Sequence, residues 1–390
     1  MQRREEHDAG FGGQVYEQWM EKEGIPVYQS IIGVEDITEL PRRPWARLGG
    51  AGTYIELEGT KQARKGLYVA EIPPGKALEP ERHIYDELLY IAQGRGLAEV
   101  WQEGGPKHSF EWGEGALFAT PLNVWHRFVN GGREPVIIFA QTSAPLAMTL
   151  FRDAEFVFNC PVNFTDRYSG EADYFAATDK VSREQLANGE TRGTRWETNF
   201  VPDLRAVVGN YDSPWKVEGG GRQSYFRMAA WTSAGSSIWP VGVYHKAHYH
   251  GPGAILLGLN SEGYVLLWHR QYGIHPYQDG HGDEVIKMNW KNNSIYVPPT
   301  EWFHQHFNTG KEPARQLRVT GGGLGIELPT VTGRRSGEGG PGIRQGGTVI
   351  GHEDEDPQIR RDFQEALKQN GIEFAMNPVV YRTDPVGRIV

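Results

Sequence analysis

The chain has 390 residues, 38% apolar and 23% charged, with a formal net charge of −9. This length exceeds one ordinary domain and predicts two, or one with extensions. The acidic balance argues against a nucleic-acid partner, and the single cysteine, Cys160, excludes an internal disulfide and points to a reducing compartment.

The first residues, "MQRREEHDAGFGGQ", lack the apolar core of a signal peptide, and no apolar run is long enough to span a bilayer. A cytoplasmic protein with no membrane partner is expected. Residues 1–50 read as an extension, in which "QVYEQWMEKEG" predicts a helix. Residues 51–149 carry short apolar or alternating runs ended by Gly or Pro: "GLYVAEIPPG", "ELLYIAQGRG", "GLAEVW", "GALFATP" and "PVIIFAQT". Such spacing predicts an all-β barrel or sandwich. Residues 150–221 form a connector, in which "DKVSREQLANG" predicts a short helix ended by Asn188-Gly189.

Strand-like runs return over 222–330. The His-bearing stretch His269–His281 is expected to be a rim loop with solvated histidines. Residues 331–355 include the Gly-rich "GRRSGEGGPGIRQGG" and predict a mobile segment. Over 356–390, "DPQIRRDFQEALKQNG" predicts the clearest helix. Asp356 caps it, Pro357 fits its first turn and Gly371 ends it. Its stripe of Ile359, Phe363, Ala366 and Leu367 is expected to pack on a barrel or on a partner subunit.

The chain repeats itself. "GKALEPERHIYDELLYIAQGRGLAEVW" (Gly75–Trp101) aligns with "GVYHKAHYHGPGAILLGLNSEGYVLLW" (Gly242–Trp268) at an offset of 167 residues. "WGEGALFATPLNVWHRFVNGGREP" (Trp112–Pro135) aligns with "WKNNSIYVPPTEWFHQHFNTGKEP" (Trp290–Pro313) at an offset of 178. One β domain therefore occurs twice, with 11 extra residues between the blocks of the second copy.

These blocks resemble the two motifs of the cupin superfamily. The resemblance implies a bicupin: two tandem double-stranded β-helix (jelly-roll) barrels with a few peripheral helices. In the first copy Gly75, His83, Glu87 and Gly94 fit the first motif, and Gly115, Pro121, His126 and Asn130 the second. Glu81 stands where a first His is usual, and Asn123 replaces a Gly. In the second copy His248, His250 and His304 fit. The usual Glu falls on Ala254, and Ser261 and Asn293 replace glycines.

Residues two apart on a strand share a face, so His248 and His250 should point together, with His304 joining from a distant strand. Three imidazoles can hold Zn, Fe, Ni or Cu and leave positions open for substrate or dioxygen. Without the Glu, the set resembles the three-His iron sites of thiol dioxygenases, diketone dioxygenase and the gentisate-type ring-cleaving dioxygenases. In the last group the metal is expected in the N-terminal barrel, whereas the three-His set here lies in the C-terminal one. Glu81, His83, Glu87 and His126 form a possible second site whose ligand mix suits Mn, Fe or Zn.

His306, on the same strand face as His304, is a candidate acid or base. Arg227, Arg315 and Arg318 are candidate carboxylate clamps, and His245, of different parity, is expected to turn away. The expected function is a metal-dependent oxygenase, an Fe(II) dioxygenase acting on a small anionic or phenolic substrate, with Mn, Zn or Ni as alternative metals. Self-association into a homo-oligomer is expected. The rival readings are a redox-neutral lyase, decarboxylase or isomerase, and a non-catalytic binding protein.

Overall fold

The computed structural model describes residues 14–384 and 389, apart from 179–180, 186–190, 209–210, 213–221, 229–231, 252 and 322–341. It opens with helix α1 (Gln14–Glu23), where the sequence predicts one. The first barrel runs through β1 (Ala51–Leu57), helix α2 (Glu58–Ala63), β2 (Gly66–Ile72), β3 (Glu87–Gln93), β4 (Arg95–Trp101), β5 (His108–Gly113), β6 (Leu117–Thr120), β7 (Trp125–Val129) and β8 (Val136–Thr142). Helices α3 (Ala144–Phe151) and α4 (Ala154–Asn159) open the connector. The second barrel runs through β9 (Arg222–Arg227), β10 (Thr232–Trp239), β11 (Ile255–Asn260), β12 (Gly263–His269), β13 (Ile286–Trp290), β14 (Ile295–Tyr296), β15 (Trp302–Asn308) and β16 (Ala314–Gly321). Helix α5 (Pro357–Gln369) follows. No described helix is long and apolar enough to cross a membrane.

Each barrel has a large and a small sheet. The large sheets keep the orders β1-β2-β8-β3-β6 and β9-β10-β16-β11-β14, and the small ones β7-β4-β5 and β13-β12-β15. Both copies thus share one jelly-roll topology. The large sheets pack back to back. Leu88, Tyr90, Ile137 and Phe139 of one meet Ile255, Leu257, Leu317 and Val319 of the other in a continuous core. Alternate residues on the same strands, such as Leu89, Ile91 and Ile138, point into the first barrel. Burial on both faces explains why "ELLYIAQ" and "PVIIFAQT" read as unbroken apolar runs.

The barrels also exchange short strands. Gly33–Val34, ahead of the first barrel, pairs with β14 of the second, and Phe200–Val201, ahead of the second, pairs with β6 of the first. The two leaders are themselves a repeat at offset 167: Asp36 accepts from the Thr38 amide as Asp203 does from that of Arg205. Residues 27–50 are therefore part of the paired architecture, a relation that the sequence division at residue 51 leaves out.

Two further expectations change. In "DKVSREQLANG", Val181–Gln185 is a strand paired antiparallel with Thr191–Glu197, so these five residues form no helix, and the predicted stop at Asn188-Gly189 lies outside the described residues. An Asn-Gly pair between two such runs is a hairpin signal as much as a helix stop. Of the Gly-rich segment, residues 331–341 lie outside the described residues. Within 342–355 part of the chain is packed: Val349 bridges to His248, and Ile350 and Glu355 are buried. Helix α5 matches its prediction. Asp356 accepts from the Gln358 amide, and Ile359, Phe363 and Leu367 are buried against the second barrel near Phe307 and Tyr244.

Candidate metal centres

The C-terminal centre is assembled from two segments. His248 and His304 are bridge partners, each amide donating to the other's carbonyl (3.2 and 2.9 Å). His250 follows two residues on. One ligand nitrogen from each of His248, His250 and His304 lies within 4.8 Å of the other two. Each ring is fixed from behind. Nδ1 faces the carbonyl of Lys246 (3.0 Å), Gly251 (2.8 Å) or Trp302 (3.2 Å). A carbonyl only accepts, so Nδ1 carries the hydrogen and Nε2 keeps the lone pair a metal needs.

The N-terminal centre uses the same device. His83 Nδ1 donates to the Tyr85 carbonyl and His126 Nδ1 to that of Val124, both at 2.9 Å. Glu87 Oε2 lies 3.5 Å from His83 Nε2 and 3.6 Å from His126 Nε2, and Glu81 Oε1 lies 3.9 Å from His126 Nε2. His83 Nε2, His126 Nε2 and Glu87 Oε2 are buried without a hydrogen-bond partner among the described residues. Such groups are costly unless something shared lies between them. Their separations exceed hydrogen-bond length and approach the ~3 Å expected between atoms that ligate one ion at about 2.1 Å. The residues therefore fit a divalent metal.

The surroundings sharpen the acid–base character of this centre. Burial works to raise the Glu87 carboxyl, but His83, His126 and the Tyr68 hydroxyl hold it well below the usual range. Burial works to lower His83, and Glu87 and Glu81 overcome it, so His83 is raised. Burial and the neighbouring His83 leave His126 lowered. The Tyr68 hydroxyl donates to Glu87 Oε1 at 2.6 Å. Arg47 pairs with Glu81 and, at 2.7 Å, with Glu23. Its guanidinium lies 4.9–5.4 Å from the rings of Trp19, Trp45 and Phe158.

The sequence reading missed Tyr68 and Arg47. Tyr68 was visible only as an inward position of a strand. Arg47 lies 34 residues from Glu81, in a segment with no motif.

In the second barrel His306 faces the same interior as His304, their rings 5.5 Å apart. The Tyr296 hydroxyl bonds both to His306 Nδ1 (2.8 Å) and to the Gln316 side chain (2.7 Å). His245 does not turn away. It is buried, with its ring 5.1 Å from that of His306. The parity argument fails because Tyr244 to His250 is joined by isolated bridges and forms no regular strand. His275 is also buried rather than solvated, whereas His281 is exposed.

Arg318 lies 5.0 Å over the ring of Tyr225. Arg315, on the opposite strand face from Gln316 and Arg318, donates to the Val207 carbonyl at 2.6 Å. Arg227 ends β9 opposite Ser233, and its side chain lies outside the described residues.

Residues 68–141 match the family model of the cupin domain. Similar solved structures include oxalate decarboxylase from Bacillus subtilis at pH 4.6 (14% identity, 75% of this chain and 76% of that one, TM-score 0.45). Coconut allergen cocosin is similar at 13% identity, over 74% of this chain and 85% of that one, with a TM-score of 0.45. A formate complex of Lactobacillus farciminis oxalate decarboxylase is similar at 13% identity, over 74% and 86%, with a TM-score of 0.44. No curated protein sequence matches the chain. The first barrel carries the family match and the second repeats it strand for strand, so the chain is a bicupin of the cupin superfamily.

Proposed function

We propose that the chain is a metal-dependent oxygenase whose reaction centre is the C-terminal barrel, acting on a small anionic or phenolic substrate with dioxygen. One observation carries this reading: His248, His250 and His304 converge with all three Nδ1 atoms engaged, and no carboxylate among the described residues joins them. Three neutral ligands leave a divalent ion its full charge and open positions. Fe(II) bound there would supply Lewis acidity and one-electron redox chemistry.

The chain's own groups support an anionic substrate. In the first barrel the cross-strand pair is Tyr68 and Ala140, with Tyr68 on Glu87. The corresponding pair in the second is Gly235 and Arg318, with Ala254 in place of Glu87. A carboxylate is lost and a guanidinium gained at matching places. Arg318 would orient the substrate anion. His306, held through Nδ1 by Tyr296, would take or return a proton at the bound substrate. Metal analysis of the purified protein and of His304→Ala tests the reading. Iron that falls away with His304→Ala is expected, and redox-inert zinc at full occupancy of that centre would overturn it.

A second reading, a redox-neutral lyase, decarboxylase or isomerase, is favoured by the N-terminal centre. Its two carboxylates and two imidazoles suit Mn(II), and its ligands are almost wholly enclosed. Activity that survives His304→Ala and is lost in His126→Ala would support it.

A further inference from the structure

The loops that carry the C-terminal ligands are braced by the other barrel. Helix α2 leaves the first barrel and docks between them. The Lys65 ammonium, just beyond the helix, donates to the Gly253 carbonyl at 2.6 Å, three residues after His250. Gln62 Oε1 accepts from the Thr300 amide at 2.7 Å, four residues before His304. Gly59 meets Val297 and Pro298 so closely that an added Cβ would lie 2.7 Å from Val297 Cγ1. A Cβ on Gly253 would lie 2.3 Å from that of Ala63, and Gly253 has a left-handed φ of +85°. One short element therefore grips both ligand-bearing segments.

Lys65 is an unusual anchor. It is buried and has no carboxylate partner among the described residues, and burial alone lowers its pKa to about 7. A lysine held in this way is costly. A methionine would fill the same space at less cost, which makes the bond to Gly253 the distinctive contribution of the amine. The first centre is braced differently. Asn123 Nδ2 donates to the connector carbonyls of Cys160 and Val162, and the Ile84 amide to that of Val157.

We propose that Lys65 and Gln62 are positioning residues for the C-terminal metal centre, supplied by the N-terminal barrel to fix His250 and His304 in ligating geometry. The proposal rests on the three-His reading above and goes beyond it by making that centre dependent on the partner barrel.

Full-length protein carrying His83→Ala and His126→Ala isolates the C-terminal centre for titration with Co(II), whose visible bands report ligand geometry. In that background Lys65→Met and Gln62→Ala should each weaken Co(II) binding about tenfold and shift the bands. Lys61→Met, on an exposed neighbouring lysine, should change neither. Gln62→Ala serves alone if Lys65→Met does not fold. Unchanged affinity and spectrum in the folded variants would overturn the proposal and leave the metal site standing. Co(II) binding that survives His304→Ala would overturn both.

Discussion

Glu87 and Ala254 hold the same place in two copies of one barrel. Glu87 precedes Leu88, which pairs with Gln141, and Ala254 precedes Ile255, which pairs with Val319. Both strands then bulge at equivalent points, at Ile137/Ile138 in the first barrel and Gly258/Asn260 in the second. The shared irregularity fixes the alignment independently of the motif. Ala254→Glu should therefore place a carboxylate beside His248, His250 and His304. With the N-terminal centre silenced by His126→Ala, Mn(II) affinity measured by electron paramagnetic resonance titration is expected to rise at least ~10-fold, because a charged oxygen ligand favours a harder ion. An unchanged affinity would mean that the new side chain cannot reach the ligand cluster.

The same comparison isolates Tyr68. Its hydroxyl occupies one oxygen of Glu87 and leaves the other for the cluster. Tyr68→Phe removes that bond without changing the ring. Metal affinity of the N-terminal centre should fall by about 10- to 100-fold, the usual consequence of losing a group that orients a ligand. His304→Ala should not alter that change, since it removes only the other centre.

Much of this arrangement was legible from periodicity and self-comparison. The two barrels, the terminal helix and the imidazole pairs follow from apolar alternation, capping residues and two constant offsets. The unread parts are of three kinds. His245 defeated a parity rule because its segment is not a regular strand. Arg47 and Lys65 act through contacts 34 and 188 residues away in sequence, and such distances leave no local pattern. The exchanged leaders, Gly33–Val34 and Phe200–Val201, are too short for a propensity signal, although Asp36 and Asp203 recur at the same offset as the motifs.

Replacement of motif glycines did not change the backbone. Asn293 stands where the first copy has Gly115, and both are left-handed, with φ of 65° and 88°. A side chain there strains the turn. Asn293 Oδ1 is also buried without a hydrogen-bond partner among the described residues. Asn293→Gly should stabilise the protein by about 0.5–1 kcal/mol. Gly115→Ala should destabilise it by more than ~1 kcal/mol, since its Cβ would meet Asp203 Oδ1 at 2.4 Å. Urea denaturation midpoints of both variants test this. Equal effects of the two changes would mean that the turns do not set the strain.

Lys65 gives a pH dependence with a definite sign. Burial lowers its pKa from the ordinary 10.5 to about 7 in the folded chain. Below pH 7 the amine is charged in both states, and the cost of burying that charge is fully present. Between about 7 and 10.5 the unfolded chain binds more protons than the fold, so stability rises with pH. Above that range the cost is gone. Lys65→Met has no such charge, so the stability of the wild type relative to the variant should improve by about 2–3 kcal/mol from pH 6 to pH 9. Urea denaturation of both proteins at the two pH values measures that difference. A gap that stays constant would mean that Lys65 keeps an ordinary pKa, and that its charge is solvated rather than buried against the loop that carries His250.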